Sequence, residues 1–475
     1  MKIVIIGAGI SGLSAYLSLT KHLPRPSHPA SDHTYTIYEA HDTHKDTTSE
    51  QRSSTNLHSS TLIVGGALGI GPNGINVLKR LDPEIVKEIV SNGYAVSTYS
   101  MKSKNGSVLA QITSQALVTS ANGESQKTAN TVAISRHMLW RCLRIRVPDD
   151  IIINKRISEV IAKSDGRNII RFADGSAPVE ADLVIGADGL KSTTKKAVFP
   201  EVKGDIYPHQ YEGLVGIGGF IPITPTLRRH IDKGCMNLVF GGNGFFGYFP
   251  DTSSLSSPAR GSVYDVSEPG DQLAWWSTYA MEECPQDPRN IDRESVIREL
   301  QTRHASWKDP VVREIIRDKN LKIENVYPTW TAPEIPTWER DGVVLVGDAA
   351  HALPSTSGQG SSQAFEDVEA LTLFLAHELH AAYGNPLETQ IMTEKTAIAA
   401  ASKKYVALRK PHVKQILDHA RKMQNSKRNM SVVEEYTMYI FMWIMGWFPS
   451  VMSKQFRGVA EYDVRAEVEK SVKEA

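Results

Sequence analysis

KIVIIGAGISGLSAYLSLTKHL, residues 2–23, joins a short apolar run to a glycine turn and then to a helical pattern. Gly7, Gly9 and Gly12 fall at GxGxxG spacing. At that spacing the first glycine permits a tight turn, the second lets a pyrophosphate approach the backbone, and the third lets helix and strand pack closely. The helix start then offers free N–H groups and a positive dipole end to phosphate. YTIYEA (35–40) reads as the next strand, with Glu39 at its end able to hydrogen-bond a ribose diol. In that order the pattern predicts an adenine-dinucleotide site, without separating FAD from NAD, and the acid argues against a 2′-phosphate there.

A signal peptide is the competing reading of this N-terminus, but the spaced glycines and the following strand with its acid favour folded protein. The length of 475 residues predicts two or three domains with ample core. Lys+Arg and Asp+Glu both number 53, so the formal net charge is zero and nucleic acid is excluded as a main partner. Cys142, Cys235 and Cys284 lie far apart and form no CxxC pair. A disulfide framework, a zinc site and a dithiol centre are therefore not expected, and a reducing, cytoplasmic setting is. The histidines of the polar stretches PRPSHPASDH (24–33) and HDTHKDTTSEQRSSTNLHSS (41–60) make no metal-ligand spacing, so no metal is expected.

Two further stretches place small residues after apolar strands. DLVIGADGLKS (182–192) ends in Asp188 and Gly189, with Ser192 positioned to cap a helix. VGDAAHALPSTSGQGSSQAFED (346–367) follows the run GVVLV (342–346) and sets Asp348 at a strand's carboxyl end, where doubly wound sheets bind ligands. The order GxGxxG, GADG, GDAAH and GQG resembles the single-component flavoprotein monooxygenases typified by para-hydroxybenzoate hydroxylase. SRHMLWRCL (135–143), VGGALGIGPNGINVLKRLD (64–82) and YVALRKPHVKQI (405–416) match further segments of that family, so the resemblance spans roughly residues 1–420.

The resemblance implies a Rossmann-like α/β FAD-binding domain with an inserted, mostly antiparallel β-sheet and C-terminal helices. FAD is bound and NAD(P)H is a transient co-substrate. Gly7, Gly9, Gly12 and Glu39 would hold the ADP half, and Arg136 would lie near the pyrophosphate or ribityl chain. Asp348 would bind a ribityl hydroxyl, while Asp188 and Gly189 shape the site. Gly65 and Gly66 belong to the flavin-side loop, and Pro354, Gly358, Gly360 and Ser361 would run along the ring edge. The implied reaction reduces flavin with NAD(P)H, adds O₂ as a C4a-hydroperoxide, and passes one oxygen to a small aromatic or unsaturated substrate, in secondary metabolism for instance. An FAD oxidase or reductase of the same fold is the alternative, and a non-catalytic nucleotide-binding protein the third. Only one GxGxxG is present, which fits Baeyer–Villiger enzymes and disulfide reductases poorly, and WTAPEIP (330–336) is not the tryptophan motif of flavin halogenases.

The expected division is 1–204 for the first part of the FAD domain, with some substrate wall near 90–130, then 205–325 for the substrate sheet. Residues 326–385 would return to the FAD domain, and 386–475 would form a helical region. YEGLVGIGGFIPI (211–223), MNLVFGGNGFFGYFP (236–250) and QLAWWSTYA (272–280) read as strands of the sheet. Phe246 and Tyr248 are candidate pocket residues, although alternation turns half of these aromatics into core. No catalytic base is assignable: His209, Tyr211, Tyr248 and His351 all suit structural roles. YTMYIFMWIMGWFPSVM (436–452) is short for a membrane span and is expected to pack as a helix, with a membrane-surface contact as its second reading.

Overall fold

The structure is a computed structural model that describes residues 1–26, 32–43, 67–114, 117–119, 125–202, 204, 207–284, 292–318, 321, 323, 325–354, 357–384, 390–424, 429–448 and 458–474. Gly65 and Gly66 lie outside these.

The apolar run KIVII forms β1 (Lys2–Ile6), buried along Ile3–Ile6 as a central parallel strand requires. It pairs on one side with β2 (Thr34–Glu39) and on the other with β14 (Leu183–Gly186), both parallel. β10 (Ile152–Asn154), β21 (Val343–Leu345) and β20 (Glu339–Arg340) complete a six-stranded sheet of order β10-β2-β1-β14-β21-β20. Only the edge pair β20–β21 is antiparallel. The chain leaves β1 toward β2 on one flank and returns as β14 on the other, so the direction of strand order reverses at β1. The carboxyl ends at that reversal are where such sheets open a ligand crevice.

Helices cover this sheet. α1 (Ile10–His22) follows β1 directly, and α4 (Arg136–Arg144) packs on it. α2 (Pro72–Leu81) and α3 (Pro83–Ser91) follow β3 (Ala67–Ile70), which joins β9 (Thr131–Ser135) and β4 (Tyr94–Val96) in a small sheet. α5 (Lys195–Val198) follows the turn after β14. α9 (Asp348–His351) follows β21, and the 24-residue α10 (Gly360–Tyr383) packs against α1, α2 and α11 (Gln390–Gln424).

The second large sheet has the order β19-β15-β18-β17-β16-β5-β6. Its strands are β5 (Thr98–Ser103), β6 (Val108–Thr113), β15 (Gln210–Pro222), β16 (Cys235–Gly241), β17 (Gly244–Pro250), β18 (Gln272–Ala280) and β19 (Asn325–Thr331). All neighbours are antiparallel except β16 with β5. Smaller pieces are the hairpin β7 (Leu117–Thr119) with β8 (Ser125–Lys127), and the sheet of β11 (Ile157–Ile161), β12 (Asn168–Phe172) and β13 (Val179–Ala181). α6 (Pro225–Arg228), α7 (Arg293–His304) and α8 (Pro310–Arg317) complete this half.

Strand alternation sends the aromatics of this sheet to two different places. On one face Val239, Phe246, Tyr248 and Trp275 pack with Leu300, Val311, Val312 and Ile315 of α7 and α8. On the other, Met236, Phe249 and Ala274 pack toward Tyr94, Val96 and Ala133 of the small sheet, which links them to the nucleotide-type domain. α12 (Val432–Gly446) lies across β6 on this second face. Its N-terminus carries a capping box between Ser431 and Glu434. It buries only Glu435 and Tyr439, with Met438 and Met442 partly packed. α13 (Val464–Lys473) returns to pack on α10. No helix among the described residues is long and apolar enough to cross a membrane.

Candidate FAD site

Four of the sequence landmarks meet at the carboxyl ends of adjacent strands. The turn after β1 is fixed by Gly7 N–H donating to Tyr38 O at 2.8 Å, and Ala187 N–H, after β14, donates to Ile6 O at 2.9 Å. Gly7 has φ +103°. A Cβ there would stand 2.5 Å from Ala187 O, so both backbone conformation and proximity of the next strand require glycine. At Gly12 a Cβ would come within 1.9 Å of Gly7 O. At Gly9, by contrast, a Cβ would meet nothing within 4 Å. Gly9 is the residue before α1 and offers no side-chain cap, so the first N–H groups of the helix face open space. The glycine at the strand–helix contact is thus sterically enforced by the protein, while the central one is not.

Glu39 ends β2, half-buried. Its Oε2 accepts from Ala8 N–H at 2.7 Å and its Oε1 from His41 N–H at 2.9 Å, which still leaves acceptor capacity for a diol. Trp140, unremarked in the sequence reading, donates its indole N–H to Ala8 O at 2.9 Å. Arg136 lies one turn earlier on the same face of α4 as Trp140. Half-buried, it makes no hydrogen bond or ion pair among the described residues.

Asp188 is occupied internally. Its oxygens accept from Ser192 Oγ (2.6 Å), Thr193 N–H (2.8 Å), and Thr194 N–H and Oγ1 (both 3.0 Å). Burial nevertheless holds its carboxyl above the ordinary carboxylate range against those donors. Ser192 in turn accepts from Lys195 N–H at 2.9 Å, the capping contact that its position predicts. Gly189, at φ +73°, has open space where a Cβ would stand.

Asp348 begins α9 immediately after Gly347, whose φ is +59°. Its half-buried carboxylate has no hydrogen bond or ion pair among the described residues. The turn ahead of α10 is held by Pro354 O, which accepts from Ser357 N–H (2.9 Å) and Oγ (2.8 Å). Gly358 and Gly360 both face open space, and α10 starts at Gly360 with no side-chain cap before Ser361.

Behind this rim lies a buried polar cluster that sequence reasoning missed. Arg409 of α11 donates to Glu366 Oε2 (2.6 Å), Asp367 Oδ1 (3.0 Å) and Gln363 Oε1 (2.5 Å), all four side chains being fully buried. Asp367 Oδ2 also accepts from Gly347 N–H at 3.0 Å and His351 Nε2 at 2.5 Å. Burial alone would raise Asp367; His351, Arg409 and that backbone donor overcome it and hold the carboxyl low. The cluster therefore locks the turn that presents Asp348. Two adjacent acids inside the apolar helix pattern 361–379 were the available signal.

One expectation is corrected. Phe246 and Tyr248, expected in the pocket, are both 0% exposed in the core under α7 and α8, because alternation points them to the helix-covered face. Trp276, Tyr99, Leu238 and Phe220 are the half-buried aromatic and apolar groups of the opposite face. The trial bases are engaged structurally: Tyr211 donates to Met281 O at 2.8 Å, Tyr248 accepts from Lys102 Nζ at 3.2 Å, and His209 packs on Trp330 at 4.7 Å. No group of residues able to hold a metal occurs among the described residues.

The donors present fit FAD. An uncapped helix start beside Gly9 and an unpaired guanidinium suit a pyrophosphate. An unpaired carboxylate at Asp348 suits a hydroxyl chain, and a second uncapped helix start at Gly360 suits an anionic ring edge. The comparisons agree. Residues 150–405 match the family described as FAD binding domain, a span containing both the GADG and GDAAH segments. FAD-dependent urate hydroxylase of Klebsiella pneumoniae is 25% identical over 425 residues, 89% of each chain. Zeaxanthin epoxidase of Spinacia oleracea is 27% identical over 263 residues, 54% of this chain and 34% of the plant enzyme, so the chain spans about a third of that relative. The crystal structure of Klebsiella pneumoniae HpxO complexed with FAD and uric acid superposes with TM-score 0.66 at 19% identity, over 99% of this chain and 95% of that one. The chain belongs to the FAD-binding-domain family.

Proposed function

We propose that the chain oxygenates a neutral, lipophilic aromatic or unsaturated compound, using FAD, NAD(P)H and O₂. FAD supplies, when bound, the reduction by NAD(P)H and the activation of oxygen; the protein binds, orients and keeps water out. In this reading Gly9 and the start of α1 receive the pyrophosphate, Arg136 neutralises it, Glu39 takes the ribose diol and Asp348 a ribityl hydroxyl. Gly358, Gly360 and Ser361 present the uncapped N–H groups of α10 to the flavin edge that becomes negative on reduction.

One observation carries the substrate class. On the sheet face that looks toward the nucleotide-type domain, Tyr99, Leu238, Phe220 and Trp276 are half-buried, and the positions between them are glycine or apolar. The Trp276 ring lies flat across Gly247, where a Cβ would stand 2.2 Å from Cζ2. Such a wall favours a planar or polyene-like apolar molecule, and none of the described residues named on it is the cation that a carboxylate substrate needs. The names of the relatives bracket the two outcomes, hydroxylation of a ring and epoxidation of a double bond. NAD(P)H oxidation that rises with a neutral phenol, prenylated aromatic or polyene, yielding one oxygenated product per NAD(P)H, is the expected result. Hydrogen peroxide as the only product across that panel would favour the oxidase alternative.

The exposed face of α12 supports contact with a lipid surface. Phe441 (64% exposed), Trp447 (69%) and Ile440 (57%) stand in water, and tryptophan and phenylalanine on such a helix suit the interfacial zone of a bilayer. Co-sedimentation with phosphatidylcholine vesicles, lost in a Phe441→Ser/Trp447→Ser variant, tests it; a protein that stays in the supernatant refutes it. The buried, unpaired cysteines Cys142 and Cys235 support a reducing cytoplasmic setting.

A further inference from the structure

The buried cluster under the cofactor rim is short of positive charge. Arg409 is one cation shared by two carboxylates, Glu366 and Asp367. Asp367 has the additional donors Gly347 N–H and His351. Glu366 has only neutral ones besides the guanidinium: Asn73 Nδ2 at 2.5 Å and Gln363 Nε2 at 3.2 Å, both on Oε1. The Asn73 amide also donates to Gln359 Oε1 at 3.1 Å, the residue just before α10. Glu366 thus stands within the first two turns of the helix whose open start faces the candidate flavin edge.

We propose that Glu366 takes up a proton when the cofactor at the start of α10 is reduced, so that the buried cluster compensates the charge that reduction creates there. The step balances. NAD(P)H transfers a hydride, two electrons with one proton, and leaves the cofactor with one added negative charge. One further proton comes from water to the Glu366 carboxylate, giving the neutral acid. The proposal rests on the FAD site described under Proposed function.

Distance and charge support the coupling. Six residues of helix separate Gly360 from Glu366, roughly 9 Å of rise. At that separation and an effective dielectric near 20, one added charge changes a proton affinity by on the order of tenfold. Arg409 holds the ionised form of Glu366, and Asp367 opposes it. His412 of α11, 3.7 Å away, is pushed down to about 4 by burial and by Arg409, so it supplies no positive charge near neutrality. Tyr462 stacks on His412 at 3.7 Å. Arg80 of α2 is engaged by Glu369 at 2.6 Å. His351 faces Asp367. Burial outweighs Arg409 and Asn73 and pushes Glu366 up to about 7, where a modest added field moves its proton occupancy.

If reduction raises the proton affinity of Glu366, then pH changes the midpoint potential by the same linkage. Midpoint potentials of the holoenzyme across pH 5.5–9 should show up to about half a proton more taken up per two electrons in wild type than in Glu366→Gln over a window near neutrality, the most that a tenfold change in affinity allows. Asn73→Ala keeps the carboxylate but removes a donor that favours its ionised form, so the same window should move to higher pH. Reduction-induced infrared difference spectra should gain a protonated-carboxyl carbonyl band in wild type and in Asn73→Ala, absent from Glu366→Gln. Equal proton uptake in wild type and Glu366→Gln, or no new carboxyl band in wild type, overturns the proposal. The wild-type and Asn73→Ala spectra decide even if Glu366→Gln fails to fold. The FAD site fails separately: Gly358→Val with unchanged FAD affinity would remove the premise and leave the proton measurement standing on its own.

Discussion

Arg409 Nη1 donates to Glu366 Oε2 at 2.6 Å with both side chains fully buried, joining α11 to α10 directly beneath the turn that carries Asp348. Removing one partner of such a pair leaves an uncompensated charge in the core. Arg409→Met should destabilise the apoprotein by about 3–5 kcal/mol. Urea unfolding followed by tryptophan fluorescence checks this, and a loss below about 1 kcal/mol would contradict the picture of a cluster locked by one guanidinium.

The GxGxxG glycines should separate cleanly. Gly12→Ala places a Cβ on Gly7 O and should damage the fold whether or not FAD is present. Gly9→Val has room in the apoprotein, so its apo melting temperature should stay near wild type while FAD affinity collapses. Calorimetry of both apoproteins beside FAD titration decides it; equal damage to both apoproteins would show that the open space at Gly9 is not kept for a ligand.

Asp348→Ala should weaken FAD binding by roughly tenfold to a hundredfold, the range expected for one hydrogen bond to a charged group. Asp348→Asn should lose less. Flavin-fluorescence quenching on titration into apoprotein gives both constants, and an unchanged constant for the alanine variant would remove Asp348 from the cofactor site.

Trp275 and Trp276 are neighbours in sequence with opposite fates. Trp275→Ala should cost about 3–5 kcal/mol of stability, because its ring stacks on Phe246 at 5.5 Å in the helix-covered core. Trp276→Ala should cost less stability and instead raise the substrate KM, with FAD affinity unchanged. Steady-state kinetics and unfolding of the two variants test this together; a KM effect confined to Trp275→Ala would put the substrate on the other face.

His304 gives a pH dependence of sign opposite to Glu366. It is wholly buried, with Nδ1 2.9 Å from Leu300 O, and burial pushes it down to about 4 from 6.5. The native state therefore holds fewer protons than the unfolded chain between those values, and stability falls as pH drops from 6.5 toward 4. The full loss is about 3 kcal/mol. Unfolding free energies measured across that range should flatten in His304→Gln, and an identical slope in the variant would assign the acid sensitivity elsewhere.

Much of this protein was legible as text. The parallel core strands betray themselves as unbroken apolar runs, and the ligand-facing turns as clusters of small residues, because a buried strand and a close backbone approach each leave little choice of side chain. Strand runs 211–223, 236–250 and 272–280 correspond to β15, β16 with β17, and β18.

What local pattern could not supply was the side of the sheet that any aromatic faces. Alternation fixes that Phe246 and Trp275 lie opposite to Trp276, but only the packing of α7 and α8 decides which set becomes core. Nor could it pair Arg409 with Glu366 and Asp367, more than forty positions away, since a salt-bridged core is a property of two helices meeting and not of either sequence. The sequence by itself determined the glycine turn between β1 and α1, the order of the small-residue turns and the family. Tertiary structure alone decided which aromatics of the second sheet become core and which residues hold the turn carrying Asp348, because those depend on faces brought together across the chain.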